Sequence, residues 1–73
     1  MTPQEIERNF THHTPMDVET VRAHERVRSE CKFLASVFSE RLVVSRETSV
    51  ALGKIEEAMF WANASIARNG LPL

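Results

Sequence analysis

One cysteine, two glycines, three prolines and no tyrosine in 73 residues leave this chain few of the devices that hold small domains together. Cys31 has no partner in the chain, so an internal disulfide is excluded, and no Cys/His spacing suits zinc. No apolar run approaches the ~18 residues of a membrane span. The opening residues, MTPQEIERNF, include acidic side chains and no apolar centre. A secretory signal is therefore not expected, and the cytoplasm is the expected compartment. Without secretion, the Asn63-Ala64-Ser65 match to a glycosylation site carries no weight. Nine basic and ten acidic residues give a net charge of −1 and are interleaved, with no polybasic tail. That argues against duplex nucleic acid as a bulk electrostatic partner. A chain of this length buries only about 60% of its unfolded surface when alone. With disulfide and metal set aside, oligomerisation is the remedy left.

What is present is helical. Pro3 can open a turn or two of helix in a leader spanning residues 1–13, with Ile6 and Phe10 at i and i+4. Thr14-Pro15-Met16-Asp17 has the residues of a helix start: a capping threonine, a proline at the first position and an acid at the positive end of the dipole. Val18, Val21, Cys31, Leu34, Ala35, Phe38 and Leu42 then recur at steps of three, four or their sums, which predicts an amphipathic helix over 15–41. The β-branched Val43-Val44 marks a break. Ser45 caps a second helix predicted over 46–69, which Asn69-Gly70-Leu71-Pro72 stops with a left-handed glycine. Thr48, Ala51, Ile55, Ala58, Met59, Ala62 and Ile66 form one apolar stripe of that helix, and Val50, Leu52, Phe60, Trp61 and Ala64 fall outside it.

The expected fold is all-α: a short N-terminal leader helix followed by an antiparallel two-helix hairpin, one domain over residues 1–73. A lone hairpin cannot cover both stripes and the surplus apolar positions of the second helix. Ala51, Ala58, Ala62, Ala64 and Ala67 let helices approach closely, so a helical homo-oligomer with the second helix near its centre is expected. The plainer alternative is a monomer whose leader folds over the hairpin.

Catalysis finds little support. Cys31 lies on an apolar face, where a small hydrophobe is the ordinary reading, and His24 is two turns away. His12 and His13 are adjacent, which suits contact with solvent or a ligand better than joint metal ligation. Glu56 and Glu57 point about 100° apart and form no acid/base pair. Neither glycine belongs to a phosphate-cradling loop. The chain is thus read as a non-enzyme with no metal and no cofactor. Anion binding fits better. Arg22 and Arg26 are four apart, as are Arg28 and Lys32, and guanidinium forks match phosphate oxygens. Their plain reading is a solvated face with partners such as Glu19 and Glu30. Phe10, His12, His13 and Trp61 are rings able to stack on bases beside such cations. Lys54, Trp61 and Arg68 stand at steps of seven along one side of the second helix; the two cations are ordinarily rim charges.

Asn9-Phe10-Thr11-His12-His13-Thr14-Pro15, the arginine-bearing helix, Ser45-Arg46-Glu47, Lys54-Ile55-Glu56-Glu57-Ala58-Met59-Phe60-Trp61-Ala62-Asn63-Ala64 and Ile66-Ala67-Arg68-Asn69 together resemble the phage anti-CBASS cyclic-oligonucleotide sponges. The resemblance covers roughly residues 9–70, and anti-Thoeris sponges share the hairpin. It implies a homohexamer that sequesters cyclic di- and trinucleotide messengers of bacterial CBASS immunity without cleaving them, in the cytoplasm of the infected host. Dinucleotides are implied to sit between protomers, with trinucleotides in separate pockets. The anti-Thoeris relatives imply an alternative ligand of the cyclic ADP-ribose type, and a helical protein-interaction module without ligand is a further alternative. With the cations and rings read above, the candidate site residues are Phe10, His12, His13, Arg22, Arg26, Arg28, Lys54, Arg68 and Asn69. His12 stands where the family often has tyrosine, and Arg26 or Arg28 takes the place of the phosphate-holding cation. Val43-Val44 replaces a proline-containing connection. The leading expectation for Trp61 is core packing, for which Trp61→Ala costs about 3–5 kcal/mol of stability in denaturant titration.

Overall fold

A computed structural model describes residues 1–10 and 17–72. These form three helices, α1 (Pro3–Phe10), α2 (Val18–Arg41) and α3 (Arg46–Asn69), with no strand among the described residues. None of the helices is long and apolar enough to cross a membrane.

Each helix start follows from a side-chain cap. The Thr2 hydroxyl accepts the Glu5 amide at 3.1 Å, and the Thr2 carbonyl accepts the Ile6 amide at 3.0 Å. Among the described residues helix α2 begins at Val18. Asp17 is in the extended region at φ −144°, ψ 168° and its carboxylate accepts the Thr20 amide at 2.7 Å, so Asp17 itself is the N-cap. The proposed Thr14-Pro15-Met16 start lies outside the described residues. Helix α3 starts after Ser45, whose hydroxyl accepts the Thr48 amide at 3.2 Å and donates to the Thr48 hydroxyl at 3.1 Å. Thr48 in turn donates to the Val43 carbonyl at 2.7 Å. This relay ties the connection to the first turn of α3 and turns Val43 and Val44 outward, the latter 96% exposed.

The C-terminal stop departs from the expected left-handed cap. Gly70 is the C-cap, with φ +77° but ψ −166°, a region essentially reserved for glycine, and its amide bonds the Ile66 carbonyl at 2.9 Å.

Helices α2 and α3 are 24 residues each and pack antiparallel across the four-residue connection. His24 and Asn63 set the register: the His24 ring nitrogen Nδ1 meets Asn63 Oδ1 at 2.9 Å, part-buried. His24 lies as many residues before Arg41 as Asn63 lies after Arg46, so the helices run level without slippage. On α2 the half-buried positions are Thr20, Ala23, His24, Val27, Cys31, Ala35, Val37 and Phe38; on α3 they include Thr48, Ala51, Leu52, Ile55, Met59, Ala62, Asn63 and Ile66. Steps of four and three along both helices make this a heptad-like seam.

The seam differs from the stripes expected on hydrophobicity alone. Val18, Val21, Leu34 and Leu42 are exposed, and Thr20, Ala23, His24 and Val27 take their place against α3. At 100° per residue, Val18 and Val21 lie well off the direction that Val27 and Cys31 define. On α3, Ala58 is exposed and Leu52 is half-buried beside the seam, while Ala64 is half-buried on the opposite side.

The seam does not make a core. Among the described residues none is fully withdrawn from water. A compact protein of 8.3 kDa exposes about 4,600 Å². This chain exposes 6204 Å², an excess of roughly 1,600 Å².

Two cap variants test these helix starts. The Thr20 amide and hydroxyl hold the Asp17 carboxyl below its ordinary pKa of 3.8. A depressed folded pKa stabilises above the ordinary value, and the gain is lost as pH falls through the folded value. Asp17→Asn is therefore expected to retain the cap near neutrality and to flatten the acid limb of helicity measured by circular dichroism below about pH 4. Ser45→Ala is expected to cost about 1 kcal/mol in urea titration at fixed protein concentration.

Candidate functional site

The seam direction sorts the candidate cations of α2. Arg22 and Arg26 fall on the side turned away from α3, with Phe33 about two to three turns on. Arg28 and Lys32 fall on a flank, a different face of the same helix. The Arg26 Nε–H donates to Glu30 Oε1 at 2.9 Å, and both side chains are exposed, so the pair is a weak surface ion pair. Arg28 is exposed and makes no ion pair among the described residues. Its guanidinium is open to an incoming anion without first losing a partner.

On α3, Lys54 Nζ donates to Glu57 Oε2 at 3.4 Å, again between exposed side chains. Arg68 is half-buried in the last turn and Asn69 is exposed at its end. A cation there also complements the negative end of the helix dipole. In the register set by His24 and Asn63, Arg68 stands level with Glu19, more than two turns of α2 away from Arg28.

Among the rings, Phe10 ends α1 and is 78% exposed. His12 and His13 lie outside the described residues. Trp61 is 63% exposed, which corrects the expectation of core packing within the chain: residue 61 falls nearly opposite the seam of α3. Phe60 and Phe33 are similarly bare, at 60% and 69%.

One protomer therefore does not gather the candidates into a single enclosure. Arg22 and Arg26, Arg28, and Lys54 with Arg68 occupy separate outer faces, each with cations but no facing wall among the described residues. Among the described residues no cluster of His, Cys, Asp and Glu could hold a metal ion. Cys31 stays half-buried on the seam as a free thiol.

The polar pair that joins the helices, His24 and Asn63, escaped the reading of the sequence, which weighed His24 only against Cys31. Its signal was their equal spacing from the connection, which becomes informative once the hairpin is drawn as antiparallel.

The family described as Acb2/Tad1, hairpin domain, matches residues 2–67. The match takes in α1, α2 and nearly all of α3. No curated protein and no solved structure matches the chain.

The position of Trp61 predicts a spectroscopic outcome. In the dilute, unassociated chain its emission should be solvent-like and readily quenched by iodide. Trp61→Ala should leave the helical circular dichroism of that species unchanged, far from the cost of about 3–5 kcal/mol for a core aromatic.

Proposed function

The chain belongs to the Acb2/Tad1 hairpin-domain family of anti-CBASS and anti-Thoeris sponges, and from that premise we propose that it sequesters cyclic di- and trinucleotides of bacterial CBASS immunity as a homohexamer. Family membership implies an anti-defence sponge for cyclic oligonucleotides, and sponges of this family are in general non-catalytic. The observation that carries the reading is the family match, which spans the leader helix and the hairpin together. The ligand class and subunit number are our inference, as is action in the cytoplasm of the infected host.

The chemistry agrees with sequestration. A cyclic dinucleotide presents two phosphate charges and two flat bases, so its complement is a set of cations and rings rather than a base and a nucleophile. Arg28 is the favoured phosphate cation, because it has no ion pair to break and Arg26 has Glu30. Phe10, His12 and His13 supply the stacking surface from the leader, with His12 in the position of the family's tyrosine. Arg22 extends the positive face of α2. Lys54, Arg68 and Asn69 on α3 make a second, separated group suited to a second class of pocket. Because these groups lie on different faces of one protomer, pockets formed between protomers are the arrangement in which cation and ring meet. Binding leaves the ligand intact, so capacity and affinity set potency.

Native mass spectrometry with cyclic dinucleotides, cyclic trinucleotides and cyclic ADP-ribose-type signals tests the reading. The expected result is a six-subunit species carrying di- and trinucleotides that are released unchanged on heating. Retention of the cyclic ADP-ribose-type signal alone would replace the CBASS assignment with Thoeris, and linear products would overturn sequestration. In calorimetry Arg28→Ala is expected to weaken dinucleotide binding by about 1.5–3 kcal/mol, with a smaller loss for Arg26→Ala. Wild-type binding by both variants would place the phosphate elsewhere.

A further inference from the structure

Gly53 lies in the middle of α3, where a glycine weakens a helix by its backbone freedom. Nothing among the described residues accounts for it. Its φ is not positive, Gly70 being the one positive-φ glycine among the described residues, and a Cβ built at residue 53 meets nothing within 4 Å. A missing side chain with neither a conformational nor a packing reason inside the chain marks a place where something outside it comes close.

The surroundings say what comes close. Helical geometry puts Val50, Gly53, Glu57, Phe60, Trp61 and Ala64 on the side of α3 turned away from α2. Val50, Phe60 and Trp61 are exposed large hydrophobics. The pattern is also symmetric about Glu57. Gly53 and Trp61 lie about one turn to either side, and Val50 and Ala64 about two turns. A face that is its own complement on reversal suits an isologous contact with a second copy.

We propose that two copies of the chain pack α3 against α3, antiparallel, about a two-fold axis at Glu57, with each Trp61 indole filling the notch over the partner's Gly53. The widest side chain of the face meets the narrowest, and Val50 meets the partner's Ala64. The charges close as well. Lys54 and Glu57 already pair at 3.4 Å within each chain, and the two pairs cross at the axis, so neither Glu57 is left beside an uncompensated like charge. This contact rests on the homo-oligomer of the proposed function but not on its ligand.

The test uses the full chain with Cys31→Ser to remove the native thiol. In that background Glu57→Cys is expected to form a disulfide-linked dimer on mild oxidation, because a residue on the two-fold axis faces its own copy. Gly53→Leu is expected to remove the assembled species from native mass spectra while keeping the helical circular dichroism, since leucine favours the helix more than glycine does. Adding Trp61→Ala to Gly53→Leu is expected to restore assembly by exchanging the large and small partners. Assembly of Gly53→Leu at wild-type strength, or failure of Glu57→Cys to cross-link in an assembled sample, overturns the contact. An assembled, cross-linking protein that holds no cyclic nucleotide overturns the sponge reading and leaves the contact standing.

Discussion

A two-helix hairpin offers one mutual face, and this chain has apolar side chains to cover on more than one. Everything else follows from that mismatch. Along the seam, small and half-polar residues such as Thr20, Ala23, Ala51 and Ala62 bring the helices together. Three of the largest side chains, Phe33, Phe60 and Trp61, are left in water. The hydrophobic effect scales with apolar area removed from water, so the protomer forgoes its most valuable contributors when alone. In the proposed function such a protomer is stabilised by assembly, as the unit of a larger core.

Given so little burial, local interactions take on the work of defining the hairpin. Asp17, Ser45 and Thr2 begin the helices, and the Ser45–Thr48–Val43 relay holds the connection. Across the seam, His24 and Asn63 specify the register, since a slip of either helix would separate them and leave two half-buried polar groups without partners. This polar pair contributes less to stability than a pair of leucines would. It contributes more to uniqueness, because it has one satisfied alignment.

The same mismatch shapes the functional surface. Cations on α2 and α3 point to separate sides of the protomer, and the exposed rings are distributed with them. In the proposed sponge, the walls that a flat, doubly charged ligand needs on both sides are contributed by neighbouring copies.

The residue pattern alone determined the three helical segments, the hairpin and the surplus apolar surface. These are properties of spacing and side-chain type, which act over one or two turns and are legible without coordinates. Helix boundaries were less legible. Asp17 and Thr14 are both capping residues, and only the backbone geometry assigned the cap to Asp17. Tertiary structure decided which face of each helix meets the other. That choice moved Val18, Val21 and Leu34 off the seam, brought His24 to Asn63, paired Arg26 while leaving Arg28 open, and turned Trp61 to solvent. Periodicity specifies that a face exists; when a helix carries two of them, only the packing angle against its neighbour tells which one the protomer uses.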